Sequence, residues 1–395
     1  MKINNINPVS FKAHYVNVDI GASSVNGSMK IRTLDDKGNL IDYFKTTVFD
    51  DDDIRSEDSF EKKVADKIAA SEIKNADKIL KADPDDELFL TVCYPGPKIK
   101  ENGKDGFRLP NFSYDKDRLH RFEKAIKPDN IDDNIIIEKD INLVQSRHAN
   151  DMAGAGACIL SKLESEHPEL LKEGEDILFL YPGGGLGCGI ISIDKHDTKI
   201  KPMEMGHIQR SGERDKTLET DVGVPGLINN FANRLGLEYY DKARLGNDAR
   251  AVRDYDVFSE YFTHYSKDEF DIASDLAIAE FIDSLAELVA IQVCASKVKT
   301  VVLTGNVAKG TRDEVNRDWH EPTPEFQADG CDKFTAIFRE MVDKKLNSVG
   351  QAILGEPTGL TVTFVDLNDN TEGAEILQKC EEVGNPTKWY NMIDV

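Results

Sequence analysis

The sequence predicts an α/β protein of two domains, each built around a βββαβ-type unit. Its 395 residues exceed the usual size of one domain, and short apolar runs alternate with longer segments of helical periodicity. The order strand, small-residue turn, returning strand also occurs twice, as YVNVDIGASSVNGSMKI at 15–31 and as LFLYPGGGLGCGIISID at 178–194. This repeat indicates an internal duplication. Two unrelated α/β domains are the alternative, because the halves share pattern more than sequence.

The first half is predicted to be a meander followed by a helix and a buried strand. Residues 15–20 alternate apolar and polar side chains, as a half-buried strand does. The turns that follow are too short for a crossover helix, so the first three strands are predicted to be antiparallel. The predicted elements are strands at 15–20 and 25–34, a third strand after the turn at 37–39, one or two helices at 57–82, and a strand at 88–94 that stops at the PGP turn 95–97.

The second half repeats this order with a longer helical part. Before the second half come a short predicted strand at 135–137 and a small-residue helix that begins at Asn150. Residues 224–298 are predicted to be mostly helical, and they lead to the apolar strand TVVLT at 300–304. Two charged segments punctuated by Pro or Gly, 241–271 and 311–334, are expected to be surface excursions.

The predicted domains are a small N-terminal α/β lobe at 1–150 and a larger α/β lobe at 151–375, with a cleft between them. A C-terminal helix at about 376–395 is expected to pack back on the first lobe. Duplicated α/β lobes of this kind provide a natural place for a ligand between them.

Composition excludes several classes of function. Lys and Arg number 49 against 72 Asp and Glu, and a net charge of −23 would repel nucleic acid and anionic membranes. The six cysteines are scattered without a CxxC pair, so neither a zinc site nor a disulfide framework is predicted. No apolar run approaches the roughly 18 residues of a membrane span. These patterns favour a cytoplasmic protein.

The glycine tract at 183–189 directly follows an apolar predicted strand, and so many glycines at one turn need an explanation. Glycine permits positive φ and lets backbone N–H groups converge on an anion, so the tract is a candidate phosphate cradle. A tight hairpin without a ligand is the alternative. Two such turns at matching places favour phosphate, although neither GxxxxGK[ST] nor GxGxxG is present.

Asp19 ends the first strand, directly before the first small-residue turn. A carboxylate beside a phosphate cradle suits Mg²⁺ bound through water, because Mg²⁺ prefers oxygen ligands and keeps part of its hydration shell. An acidic residue that begins an Asx turn is the alternative.

A series of motifs resembles the sugar kinase, Hsp70 and actin superfamily. DIGASS at 19–24, YPGGGLGCG at 181–189 and VVLTGNVAKG at 301–310 are similar to its phosphate 1, phosphate 2 and adenosine motifs. Within it, AND at 149–151, EMGH at 204–207, LETDVGVPGLIN at 218–229 and TEGAEIL at 371–377 resemble bacterial glucokinases and ROK sugar kinases. The resemblance implies the ribonuclease H-like, actin-like ATPase fold. It also implies ATP-dependent phosphorylation of a hexose hydroxyl, with the sugar held between lobes that close on it.

The resemblance implies that Asp151 is the general base that takes the hydroxyl proton, and that Asn150 hydrogen-bonds the sugar. By itself, Asp151 at the start of a helix could equally be an N-cap.

Glu204, His207 and Glu219 are assigned by the resemblance to sugar hydroxyls, which both donate and accept hydrogen bonds. A satisfied loop histidine is the alternative for His207. Many ROK kinases follow this histidine with a cysteine-rich zinc motif, whereas IQRSGERDKTLETDVG follows it here. No zinc is therefore expected, and the zinc-free glucokinase branch is the closer match.

The nucleotide and its Mg²⁺ are expected at the glycine-rich turns. Gly184 replaces the threonine that is usual in the second phosphate loop, and Asn306 stands where glycine is common in the adenosine loop. For Gly305 and Gly373, ordinary packing is the alternative. The predicted nucleotide-binding residues are Asp19 (also for Mg²⁺), Gly21, Ser23, Gly183, Gly184, Gly185, Gly187, Gly305 and Gly373.

The sequence therefore predicts an ATP-dependent hexose kinase of carbohydrate metabolism, specifically a glucokinase of glycolysis, with a homodimer as a family-based expectation. The first alternative is a sugar sensor of the same fold with impaired phosphoryl transfer, which Gly184 and Asn306 favour. A ROK repressor would need a basic DNA-binding extension before Tyr15, and a chaperone-like or actin-like ATPase would lack the sugar residues. The residues do not distinguish glucose from other hexoses, or ATP from polyphosphate.

Overall fold

The computed structural model describes residues 13–21, 27–49, 60–82, 87–109, 118–122, 142–194, 198–208, 217–246, 248–318, 331–354, 359–367 and 371–382. These residues divide between two compact units, one drawn from Met1–Ser161 and Asp369–Val395 and the other from Lys162–Asn368. The domain limits predicted from the sequence, 1–150 and 151–375, stay predictions.

The first unit is built on a mixed five-stranded sheet in the order β3-β2-β1-β4-β7. β1 pairs antiparallel with β2 and β2 with β3, whereas β1, β4 and β7 run parallel. The predicted meander is therefore confirmed for the described residues. A separate hairpin, β5-β6, follows β4. The strands are β1 (Ala13–Gly21), β2 (Ser28–Leu34), β3 (Leu40–Thr47), β4 (Glu87–Tyr94), β5 (Lys98–Glu101), β6 (Lys104–Phe107) and β7 (Asn142–Asn150).

Helices cover the first sheet. α1 (Phe60–Ala82) contributes Phe60, Val64 and Ile68 to a buried cluster with the apolar side chains of β1 and β4. α10 (Thr371–Glu382) packs on β1 and β4. Asp151 begins α2 (Asp151–Glu166) directly after β7. The apolar runs thus become central strands because helices remove their side chains from water.

The second unit repeats this topology, with the order β10-β9-β8-β11-β12. Again the first three strands form an antiparallel meander, and the strands that follow lie parallel to the first of them. This repetition confirms the predicted α/β class and its duplicated βββαβ-type order. The strands are β8 (Asp176–Pro182), β9 (Leu186–Ser192), β10 (Lys199–Met203), β11 (Val298–Thr304) and β12 (Thr361–Val365).

The long helix α7 (Lys267–Ala295) runs through the buried core of this unit and is capped by Ser266 and Glu269, which form a capping box. No described helix is long and apolar enough to cross a membrane. The remaining helices are α3 (Glu219–Val222), α4 (Val224–Arg234), α5 (Tyr239–Leu245), α6 (Tyr255–Tyr261), α8 (Gly305–Asp318) and α9 (Lys333–Leu354).

The expectation that 241–271 is a surface excursion is wrong. Phe258, Phe262 and Phe270 are buried, and the Phe258 ring lies 5.4 Å from that of Phe231, edge to face. The charges that suggested a loop occupy the exposed sides of short helices whose aromatic residues enter the core. In the second such segment, residues 311–318 belong to α8, and 319–330 lie outside the described residues.

Five of the described strands were not predicted from the sequence: β5, β6, β7, β10 and β12. The strand predicted at 135–137 lies outside the described residues, as do 25–26 and 57–59 of the predicted elements. The strand β7 was not predicted, because its polar sequence NLVQSRHAN lacks an apolar run. β10 and β12 were missed for the same reason, since each is short and only half buried.

Candidate functional site

The carboxyl ends of the parallel strands bring the predicted magnesium residue and the predicted base to one edge of the first sheet. Asp19 pairs with Cys93 in the sheet register, and Cys93 pairs with Ala149, two residues before Asp151. Burial raises the pKa of the Cys93 thiol well above its usual value, and the negative charges of Asp19 and Asp151 raise it further. Both carboxylates are therefore close to this thiol.

Asp19 is buried and accepts a hydrogen bond from Lys30 Nζ at 3.0 Å. Lys30 lies directly opposite Asp19 on β2. Lys30 was not predicted from the sequence, because it belongs to none of the motifs and only the observed register of β1 on β2 places it opposite Asp19.

Asn150 and Asp151 lie where β7 becomes α2. Asn150 Oδ1 accepts a hydrogen bond from Met152 N at 2.8 Å, and its Nδ2 donates to the Gly96 carbonyl at 2.6 Å. Asp151 Oδ1 also accepts from Met152 N, at 2.8 Å. Asn150, only 4% exposed, therefore caps the helix and ties it to the PGP turn. The helix N-terminus stabilises the negative charge of Asp151.

His148 was also missed. Its Nδ1 lies 2.8 Å from the Tyr94 hydroxyl, and burial lowers its pKa to about 4. The imidazole is therefore neutral at physiological pH, and it lies two residues before Asn150 on the same strand. The only sequence signal was its position next to the AND motif.

The glycine tract forms a tight turn between β8 and β9. Gly183 N donates to the Gly185 carbonyl at 2.7 Å, and Val224 N donates to the Gly183 carbonyl at 2.8 Å. None of Gly183, Gly184, Gly185 and Gly187 has positive φ, so the tract does not use the conformation that glycine adopts most readily. At residue 185 the absence of a side chain leaves room for a carboxylate, because a Cβ there would lie 1.7 Å from Glu219 Oε1.

The second unit brings together all three predicted sugar-binding side chains that belong to it. His207 lies between two carboxylates, with Nε2 3.7 Å from Glu204 Oε2 and Nδ1 3.4 Å from Glu219 Oε2. Glu204 ends the loop after β10, His207 belongs to the 3-10 helix Met205–His207, and Glu219 begins α3. His207 and Glu204 are each more than a third exposed, so they can reach a ligand.

Burial sets the electrostatics of this cluster. It raises the pKa of Glu204 and of Glu219, while the neighbouring His207 opposes the rise in each. The backbone N–H of Leu186 also lowers the pKa of Glu219 and so favours its charged form. Beneath the cluster, Cys188 Sγ lies 3.1 Å from the Met203 carbonyl, and burial raises the pKa of this thiol to about 12.

The other predicted nucleotide residues occupy different environments. Gly305 has φ +88° at the junction of β11 and α8, where a non-glycine residue would be strained. Gly373 packs so tightly on α2 that its Cβ would lie 1.9 Å from the Gly154 carbonyl, and packing accounts for this glycine. Gly21 ends β1, and Ser23 lies outside the described residues.

Among the described residues, no three His, Cys, Asp or Glu side chains form a group that could hold a metal ion. A single carboxylate is nevertheless enough for Mg²⁺ that also binds substrate phosphates and water. Asp19 fits that requirement, because it lies near the carboxyl end of β1, at the edge of the sheet where β7 ends before Asp151.

Comparison with known proteins finds similarity in structure. No family model matches the chain, and a sequence search of curated proteins also finds no match. Glucokinase from Balamuthia mandrillaris in complex with glucose is 14% identical, with a TM-score of 0.58 over 94% of this chain and 95% of that chain. A ROK family glucokinase from Streptomyces griseus in complex with glucose and AMPPNP is 14% identical, with a TM-score of 0.50 over 93% and 98%.

A third similar structure is a ROK family transcriptional regulator, a homolog of the E. coli MLC protein. It is 14% identical, with a TM-score of 0.55 over 95% of this chain and 80% of that chain. Likeness at such low identity shows the fold alone. The chain has the actin-like ATPase fold of the ROK-family sugar kinases and glucokinases.

Proposed function

We propose that this protein is an ATP-dependent hexose kinase with glucose as the preferred acceptor. The observation that carries the proposal is the cluster of Glu204, His207 and Glu219, in which two carboxylates flank an imidazole. Such groups can both accept from and donate to the hydroxyls of one sugar ring. The fold supports it as well, because structures that share it include glucokinases with bound glucose.

In the proposed reaction, Asp151 accepts the proton of one sugar hydroxyl while the oxygen of that hydroxyl attacks the γ-phosphorus of ATP. The bond from this phosphorus to the β-γ bridging oxygen breaks, and ADP and a hexose phosphate leave. Asn150 caps α2 and so orients Asp151. Glu204, His207 and Glu219 are proposed to bind sugar hydroxyls. Mobile water must be excluded, because it would otherwise compete as the acceptor.

ATP is proposed to bind at the glycine turn between β8 and β9 and at Gly305. Asp19 would hold Mg²⁺ through water, and this ion supplies positive charge to the phosphates when it is bound. Lys30, 3.0 Å from Asp19, orients the carboxylate. A cytoplasmic homodimer remains a prediction from the cysteine pattern and the resemblance.

A sugar sensor is the second candidate, and two positions favour it. Gly184 has no hydroxyl to offer to a phosphate, and Asn306 is exposed in the first turn of α8. A transcriptional regulator also has this fold. A sensor would bind the hexose through the same cluster without turning over ATP.

The experiment is coupled ADP release with Mg-ATP against glucose, mannose, fructose and N-acetylglucosamine. It is run beside Asp151→Ala, with melting temperatures to show that the variant is folded. Turnover that depends on one sugar and is lost in the variant supports the kinase. If a sugar raises the melting temperature and no ADP forms, polyphosphate replaces ATP as the donor. Failure there as well refutes the kinase and leaves the sensor.

A further inference from the structure

We propose that Gly185 is a positioning residue for the hexose site: it provides the space in which the Glu219 carboxylate lies. The motif resemblance implies that Gly185 binds the nucleotide with the rest of the tract. The inference deepens the proposed function and depends on it, since it assigns one glycine of the phosphate loop to sugar recognition.

The steric relationship is specific to one side chain. A Cβ at residue 185 would lie 1.7 Å from Glu219 Oε1, 2.8 Å from its Cδ and 3.5 Å from its Cγ. The first two distances are shorter than real Cβ contacts allow. Since the φ of Gly185 is not positive, the backbone here does not require glycine. A methyl group at residue 185 would therefore displace the Glu219 carboxylate, the end of a flexible side chain, from the position it occupies.

A second glycine borders the carboxylate from the His207 side. A Cβ at Gly206 would lie 3.2 Å from the Glu219 Cβ and 3.3 Å from its Oε2. The same Oε2 lies 3.4 Å from His207 Nδ1. The Glu219 carboxylate thus occupies a slot between Gly185 and Gly206, and the slot determines how it meets the imidazole.

The charge of this carboxylate also bears on what can lie at the turn. The Leu186 N–H, next to Gly185, lowers the pKa of Glu219 against the effect of burial and so favours the charged form. A phosphate at Gly185 would lie close to Glu219, and the two negative charges would repel each other. Both points assign Gly185 to the sugar side of the turn.

The test compares Gly185→Ala with Gly183→Ala. Both variants add one methyl group to the same turn, but a Cβ at residue 183 has Tyr181 as its nearest neighbour, at 3.8 Å. Isothermal titration gives the dissociation constant of the hexose without nucleotide, and that of AMPPNP without hexose. We expect Gly185→Ala to weaken hexose binding about tenfold or more and to leave AMPPNP binding within about twofold. Gly183→Ala should leave hexose binding unchanged.

A rescue separates positioning from general damage. Glu219→Asp withdraws the carboxylate by one C–C bond, about 1.5 Å, and makes room for the new methyl group. Gly185→Ala combined with Glu219→Asp should therefore bind hexose no more weakly than Glu219→Asp alone. Equal losses in both backgrounds would overturn the proposal, because they would show that the methyl group acts elsewhere.

The outcomes also distinguish this inference from the proposed function. If Gly185→Ala binds hexose as tightly as the wild-type protein does, the positioning role is refuted and the kinase proposal stands. If Gly185→Ala loses AMPPNP binding but binds hexose normally, Gly185 belongs to the nucleotide site instead. If the wild-type protein binds no hexose of the panel, the proposed function fails, and the role of Gly185 in sugar binding fails with it.

Discussion

Glu219 Oε2 lies 3.4 Å from His207 Nδ1, so the imidazole meets a carboxylate whose charged form burial disfavours. Burial raises the pKa of Glu204 as well, and the charge of Glu219 adds to that rise. The two acids are therefore held near one another at an energetic cost that grows as they ionise. Hydrogen-bond donors on a ligand would stabilise the ionised carboxylates, so this arrangement suits a binding site.

A pH dependence of stability follows from these raised pKa values. An acid whose pKa is raised by folding stabilises the folded state fully below its unfolded pKa, and this contribution is lost as the pH rises through the folded pKa. Glu219→Gln cannot ionise, so its melting temperature relative to wild type should rise as the pH rises above the ordinary pKa of a glutamate. Glu173→Gln, at an exposed residue, is the control. A Glu219→Gln difference that is constant or falls with pH would contradict the prediction.

Asn150 should matter for stability more than Asp151 does. Asn150→Ala removes both the cap on Met152 N and the donor to the Gly96 carbonyl, and we expect a loss of about 1–3 kcal/mol in the free energy of unfolding. Asp151→Ala keeps the Asn150 cap and should cost less. Urea titration of both variants measures the difference. A larger loss for Asp151→Ala would show that Asp151 is the principal cap.

A side chain at Gly305 should destabilise the folded protein. Its φ of +88° is strained for alanine, and a Cβ would lie 3.3 Å from the Tyr181 ring. Gly305→Ala should lower the free energy of unfolding by about 1–2 kcal/mol. Gly183→Ala, which also faces Tyr181 but lacks positive φ, should change it by less than about 0.5 kcal/mol. Equal effects would contradict the conformational explanation.

Phe258 tests the correction to the segment 241–271. Its ring is fully buried, and it contacts Phe231 at 5.4 Å and Phe270 at 5.2 Å between centroids. Phe258→Ala should cost about 3–5 kcal/mol of stability in urea unfolding. Tyr239→Ala, at a residue 80% exposed, should change it by no more than about 0.5 kcal/mol. A small effect for Phe258→Ala would support the original expectation that the segment is a surface excursion.

Local patterns were enough to predict the duplicated order of elements. Apolar runs such as 88–94 and 178–182 must be buried on both faces, and short turns allow only antiparallel neighbours. The motifs likewise identified Glu204, His207 and Glu219 before the structure brought them together. Polar strands such as β7 escaped prediction, because their burial depends on neighbours that are distant in the sequence.

By itself, the sequence determined the fold class, the repeated strand-turn-strand order and the residue types of the candidate sites. Those properties depend on periodicity and turn chemistry, which are local. Only the tertiary structure shows what a side chain would meet at each glycine: positive φ at Gly305, the Gly154 carbonyl at Gly373 and the Glu219 carboxylate at Gly185. It also decided that Lys30 meets Asp19. Glycine has no side chain to indicate its neighbours, so its role depends on which atoms the folded chain brings to it.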